Sequence, residues 1–133
     1  MTSTENKQLM QNIFAQMAEG NSKPLVEAMA EDFSWTVTGG TQWSKTYAGK
    51  KTVMGELFGV LSARIDGRMR TIPERFIAED DYVVVQAHGH NTTKSGVPYN
   101  NQYCFVFRLA DGKLKELTEY MDTELVTKTL GEE

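Results

Sequence analysis

The sequence predicts an α+β domain in which three helices cover one face of a curved antiparallel sheet. Three observations carry this expectation: segments with helical periodicity come first, strand-like segments rich in Val, Phe, Tyr and Thr follow from Met69 onward, and the links between them are short. At 133 residues the chain has the length of one domain and can bury a core without disulfides or metals. We therefore read residues 1–133 as a single domain.

The first helix spans Thr4 to Glu19, where Leu9, Met10, Ile13, Phe14 and Met17 recur at three- and four-residue spacing; Ser3 or Thr4 can cap its start and Gly20 its end. Asn21-Ser22-Lys23-Pro24 begins a second, with proline in its first turn ahead of Leu25, Val26, Met29 and Ala30. Phe33, Trp35 and Val37 then alternate with Ser34, Thr36 and Thr38, the period of a half-buried strand that points Trp35 inward. From Lys51 to Ile65 a third helix gathers Val53, Met54, Leu57, Phe58, Leu61 and Ile65 on one stripe. Gly55 and Gly59 interrupt it at a cost of roughly 1 kcal/mol each, which points to close packing against another backbone.

Strands are predicted over Met69–Ala78, Tyr82–Thr92, Asn101–Leu109 and Leu114–Met121. Asp111-Gly112 is a hairpin turn, Glu79-Asp80-Asp81 an acidic turn, and Lys94 to Pro98 a longer link. Thr123 to Leu130 closes the chain with one or two helical turns.

Composition narrows the function. Fourteen basic and eighteen acidic residues give a net charge of −4 with no basic run, which argues against nucleic acid. Cys104 is the single cysteine, the N-terminal residues lack a charged leader, and no apolar run approaches the eighteen or so residues of a membrane span. A cytoplasmic protein without membrane attachment is expected.

Several segments resemble a known family. Ala30-Glu31-Asp32-Phe33-Ser34-Trp35, Tyr47-Ala48-Gly49-Lys50, Gly96 to Tyr103, and the ending Asp111 to Glu116 followed by Glu119-Tyr120-Met121-Asp122-Thr123 look like ketosteroid isomerase-related proteins of the SnoaL-like type. These belong to the nuclear transport factor 2-like superfamily. The resemblance spans nearly the whole chain and implies a cone-shaped fold around an apolar pocket. It also implies a homodimer paired through the outer sheet face and a small hydrophobic ligand. One such cone serves isomerases, polyketide cyclases, epoxide hydrolases, dehydratases and non-catalytic partners, so the reaction does not follow from the fold.

The resemblance implies that the last strand delivers Asp122 to the pocket rim as a general base, since polyketide cyclases and limonene epoxide hydrolases carry an acid there. A carboxylate in an apolar cavity has its pKa raised toward working pH. The alternative is that Asp122 caps the terminal helical turn. His88 and His90 share a strand face with Gln86, which is either the pocket or the outer sheet. In the pocket, His88 or Tyr47 would orient or protonate a substrate oxygen. Glu119 reaches either face depending on a bulge.

Trp35, Trp43, Met54, Phe58, Tyr103 and Phe105 are suited to lining a pocket or filling a core. Gln86, His88 and His90 stand where epoxide hydrolases hold an arginine and an aspartate, and the first helix has no tyrosine of the steroid-isomerase kind. No third ligand accompanies the histidines, so no metal or other cofactor is expected. Cys104 reads as a small apolar strand residue without a nucleophile's partner. The reading these residues favour is isomerase-like, lyase-like or cyclase-like acid-base chemistry on a hydrophobic molecule. A non-catalytic ligand-binding or accessory homodimer is the alternative.

Overall fold

The computed structural model describes residues 1–130. Helix α1 (Ser3–Met17) starts where Thr2 closes a capping box: Glu5 N–H donates to Thr2 Oγ1 at 3.1 Å, and Thr2 N–H donates to Glu5 Oε1 at 2.8 Å. The cap precedes the expected Ser3 or Thr4 because only Thr2 has a glutamate three residues on. Met10, Ile13 and Phe14 are buried beneath the helix. Gly20, at φ +85°, ends the turn that follows; a Cβ there would sit 3.1 Å from Arg68 Cβ.

Helix α2 (Lys23–Ala28) has Pro24 in its first turn, and Asn21 Oδ1 rather than the Ser22 hydroxyl accepts from Lys23 N–H. Met29 and Ala30, expected on this helix, instead open strand β1 (Met29–Val37).

The remaining strands are β2 (Thr46–Ala48), β3 (Thr71–Glu79), β4 (Tyr82–Gly89), β5 (Asn91–Thr92), β6 (Pro98–Tyr99), β7 (Gln102–Ala110) and β8 (Lys113–Met121). Six form one sheet in the order β2-β1-β8-β7-β4-β3, and β5 pairs with β6. The large sheet is antiparallel except where β1 runs parallel to β8, a departure from the fully antiparallel expectation. Asp80 and Asp111 both take positive φ in the tight turns that join β3 to β4 and β7 to β8. Register shifts in β1, β3 and β7–β8 mark where strands bend and the sheet curves.

One sheet face carries Phe33, Trp35, Val37, Val83, Val85, Ala87, Tyr103, Phe105, Phe107 and Leu117, all buried against the helices. Phe14 anchors the layer, its ring centroid 5.8–6.0 Å from those of Phe76, Phe105 and Phe107.

The third helical segment is not uniform. A turn of α-helix, α3 (Lys50–Thr52), passes into a π-helical stretch, Val53–Phe58, and then into α4 (Gly59–Arg64). No atom lies within 4 Å of the place a Gly55 Cβ would take, so close backbone approach does not explain that glycine. Gly55 lies within the widened turn and Gly59 follows it, where a Cβ would stand 3.4 Å from the Met54 carbonyl. Helix α5 (Thr123–Leu130) folds back with Val126 and Leu130 buried. Among the described residues, no helix is long and apolar enough to cross a membrane.

Candidate active site

Between the helices and the inner sheet face lies a cavity of about 510 Å³. Its walls are aromatic and aliphatic: Trp35, Trp43, Met54, Phe58, Tyr103 and Phe105 all line it, together with Phe14 and Leu117. Exposed lining residues Ser22, Ser62, Gly67 and Arg68 mark its mouth, between the α1–α2 turn and the loop leaving α4. Trp35 and Phe58 meet edge to face at 5.4 Å, and Tyr103 stacks on Phe105 at 5.0 Å. These ring pairs pack against one another along the cavity wall.

One carboxylate opens into it. Glu119, on β8, accepts a hydrogen bond from Trp35 Nε1 at 2.8 Å and, among the described residues, has no cation paired with it. Loss of water around the group pushes its pKa from 4.5 up to about 7, and the Trp35 hydrogen bond offsets only part of this. Near neutral pH the side chain is thus divided between acid and base, the condition for shuttling a proton.

Two tyrosines, Tyr99 and Tyr103, also line the cavity. Burial raises both pKa values, Tyr103 well above the ordinary tyrosine value, and the charge of Glu119 adds to each. At working pH both remain protonated donors. Trp43 Nε1 is buried without a hydrogen-bond partner among the described residues, and the Arg64 guanidinium lies 5.0 Å from the centre of the indole ring.

The structure redistributes the residues singled out from sequence. Glu119, Trp35, Trp43, Met54, Phe58 and Tyr103 come together around the cavity, whereas Asp122, His88, His90 and Tyr47 do not line it. Asp122 is exposed beyond the end of β8, where its Oδ1 accepts from Leu125 N–H at 3.2 Å as a cap of α5. It lies outside the cavity because the strand ends at Met121, turning the chain outward before the carboxylate.

His88 points to the outer sheet face, its Nδ1 2.9 Å from Glu74 Oε2, because Val83, Val85 and Ala87 take the inward positions of β4. His90 is exposed, just past the strand. Tyr47 is core, and its hydroxyl already donates to the Trp43 carbonyl at 2.9 Å. Cys104 is half-buried on the outer face, opposite Tyr120. No cluster of three or more metal-ligating side chains occurs among the described residues.

Tyr99 was not singled out from sequence, although the buried-aromatic rule offers a signal: a tyrosine flanked by turn residues and followed by Asn101 can bury its ring only if its hydroxyl finds partners. Asp122→Ala should cost about 1 kcal/mol, the loss of a helix cap, and leave ligand binding in the cavity unchanged. Chemical denaturation beside a binding titration checks this, and impaired binding at unchanged stability would return Asp122 to the site.

A SnoaL-like domain model matches residues 10–117. No curated protein matches the chain. Among solved structures, a nuclear transport factor 2-like protein from Burkholderia xenovorans LB400 is similar at 25% identity and a TM-score of 0.74, covering 97% of this chain and 98% of its own. Another, of unknown function, from Burkholderia pseudomallei K96243 is 21% identical with a TM-score of 0.81 over 99% of this chain and 100% of its own. A protein from Jannaschia sp. CCS1, provisionally assigned as a SnoaL-like polyketide cyclase, is 18% identical with a TM-score of 0.77, covering 99% and 95%. These likenesses agree on the fold.

Proposed function

From the premise that this chain belongs to the SnoaL-like domain family, we propose that it is an enzyme whose cavity moves a proton on a small, uncharged, ring-bearing substrate, with Glu119 as general base. The observation that carries this reading is a carboxylate without a paired cation among the described residues, lifted to a pKa of about 7, in a mostly aromatic and aliphatic enclosure. An unreactive binding pocket gains nothing from a half-buried acid held between its two protonation states, whereas isomerisation, cyclisation and elimination each need such a group.

A flat cyclic ketone with acidic α-hydrogens, 2-tetralone, tests the reading. In D2O, exchange of its α-hydrogens followed by NMR should rise about tenfold per pH unit below pH 7 and level off above it. Exchange no faster than in buffer would leave a binding protein as the better account.

The chain acts as a homodimer in this proposal. Ile77, Tyr82 and Tyr120 are 52%, 43% and 50% exposed on the outer sheet face, an apolar surface that a second copy would cover. Val84 lies among them on β4 opposite Ile77, and Val84→Lys should convert the dimer to a monomer in sedimentation equilibrium. A variant that sediments like the parent would place the interface elsewhere.

A further inference from the structure

We propose that the cavity admits uncharged ring compounds of several outlines rather than one shape, and that Met17, Met54, Met69 and Met121 determine this breadth by repacking around each ligand. The inference rests on the proposed reading in one respect, that the cavity is the substrate site, and does not depend on which group acts as base.

The distribution of methionine carries it. Of the seven in the chain, Met1 is at the surface, and Met10 and Met29 are core residues, 0% and 2% exposed. The other four are all half-buried, and all four line the cavity. Each comes from a different segment: Met17 ends α1, Met54 lies in the π-helical stretch, Met69 lies in the loop between α4 and β3, and Met121 ends β8. They pack against the core while leaving part of their surface to the cavity.

A wholly buried methionine fills a fixed gap. On a cavity wall the same side chain lacks neighbours on its open side, and its unbranched chain and polarisable sulfur can follow the surface of whatever lies there. Leucine has nearly the same volume, but its branched end changes shape only by whole rotamer jumps. The backbone beneath Met54 shares this freedom, since a Cβ on the neighbouring Gly55 would meet no atom within 4 Å.

Other parts of the wall are stiffer. Trp35 packs on Phe58 and Tyr103 on Phe105, so moving one ring displaces its partner. The aromatic pairs therefore fix where a ligand ring rests, and the methionines close around its remaining outline. Binding surfaces that accept several partners use flexible methionine-rich walls in the same way. The four chains lose rotamer entropy when they settle on a ligand, so breadth comes with modest affinity.

Three uncharged ketones that differ in outline test this: flat 2-tetralone, elongated 4-phenylcyclohexanone and globular 2-adamantanone. Titration calorimetry of the parent protein should give dissociation constants within about tenfold of one another. Exchanging all four methionines for leucine (Met17→Leu, Met54→Leu, Met69→Leu and Met121→Leu) should widen that spread by about 10- to 100-fold, with one ketone still bound near its parent affinity. If the fourfold variant does not fold, the pairs Met17→Leu with Met69→Leu and Met54→Leu with Met121→Leu replace it.

NMR of the parent protein labelled with 13C at the methionine methyls reads the same device without any substitution. The four cavity methyls should be more mobile than those of Met10 and Met29 and should move to different positions with each ketone, while Met10 and Met29 stay in place. Mobile, ligand-specific methyls beside α-hydrogen exchange no faster than in buffer would sink the base and spare this inference. A parent spread wider than about tenfold, a spread that the leucine variants leave unchanged, cavity methyls as rigid as those of Met10 and Met29, or binding of none of the three ketones would each overturn it.

Discussion

Glu119→Gln should abolish proton transfer in the cavity and, at pH 8, make the protein more stable than its parent. The amide oxygen of the substituted side chain would still accept from Trp35 Nε1, so the local geometry persists while the titrating group is gone. Folding raises the Glu119 pKa from 4.5 to about 7, so both states hold the proton below pH 4.5 and both have lost it above pH 7. Between those limits the folded state binds the extra proton, and the stability contributed by this group falls as pH rises.

The full difference is on the order of 3 kcal/mol above pH 7, an upper figure because the cavity admits water through its mouth. Thermal unfolding from pH 4 to 8 should show this slope in the parent and not in the variant. In parallel, α-hydrogen exchange should fall about 100-fold or more. A variant that exchanges as fast as the parent, or gains no stability at pH 8, removes Glu119 from the centre of the mechanism.

Asn101→Ala should be among the most damaging single changes outside the aromatic core, lowering unfolding stability by about 2–4 kcal/mol. Its amide nitrogen donates to Tyr99 Oη and to the Asp122 carbonyl, both at 3.1 Å, and its oxygen accepts from Gln102 N–H at 2.7 Å and Asp122 N–H at 3.0 Å. Alanine leaves these groups without partners at a wholly buried position. It also unties the end of β8, close to Glu119. Urea denaturation should show the midpoint falling at unchanged slope. A midpoint within error of the parent would mean that water replaces the amide, and that the network is far less demanding than its burial implies.

Much of this architecture is legible in the chain because the patterns have contrast. Phe33, Trp35 and Val37 alternate with Ser, Thr and Thr, so the inward face of β1 follows from polarity alone. In β4 the run Val83-Val84-Val85 has no such contrast, so sequence leaves the face of His88 open, and only the sheet's placement beneath α1 decides it.

The end of β8 fails for another reason. Leu114 and Leu117 are both buried at an odd spacing, which the register shift between Arg108 and Leu109 opposite them accommodates. Counting in steps of two from Leu114 places Glu119 outside, whereas counting from Leu117 places it inside. The carboxylate nearest the helix looked like the reactive one, and the bulge awarded the cavity to its neighbour. Trp35 held the missing clue, since a buried indole N–H seeks an acceptor and Glu119 supplies it from 84 residues away.

The parallel pairing of β1 with β8 has a consequence for how the molecule is made. Ser34 to Val37 meet Glu116 to Glu119, so the central seam of the sheet cannot form until residue 119 has been synthesised. A ribosome-bound nascent chain that has passed residue 37 presents β1 with only the three-residue β2 to pair with, and its other edge waits for β8. That edge is an open template for another chain throughout elongation. Translation speed and chaperone capture over this interval, rather than the stability of the finished fold, would then set how much of the protein survives its own synthesis.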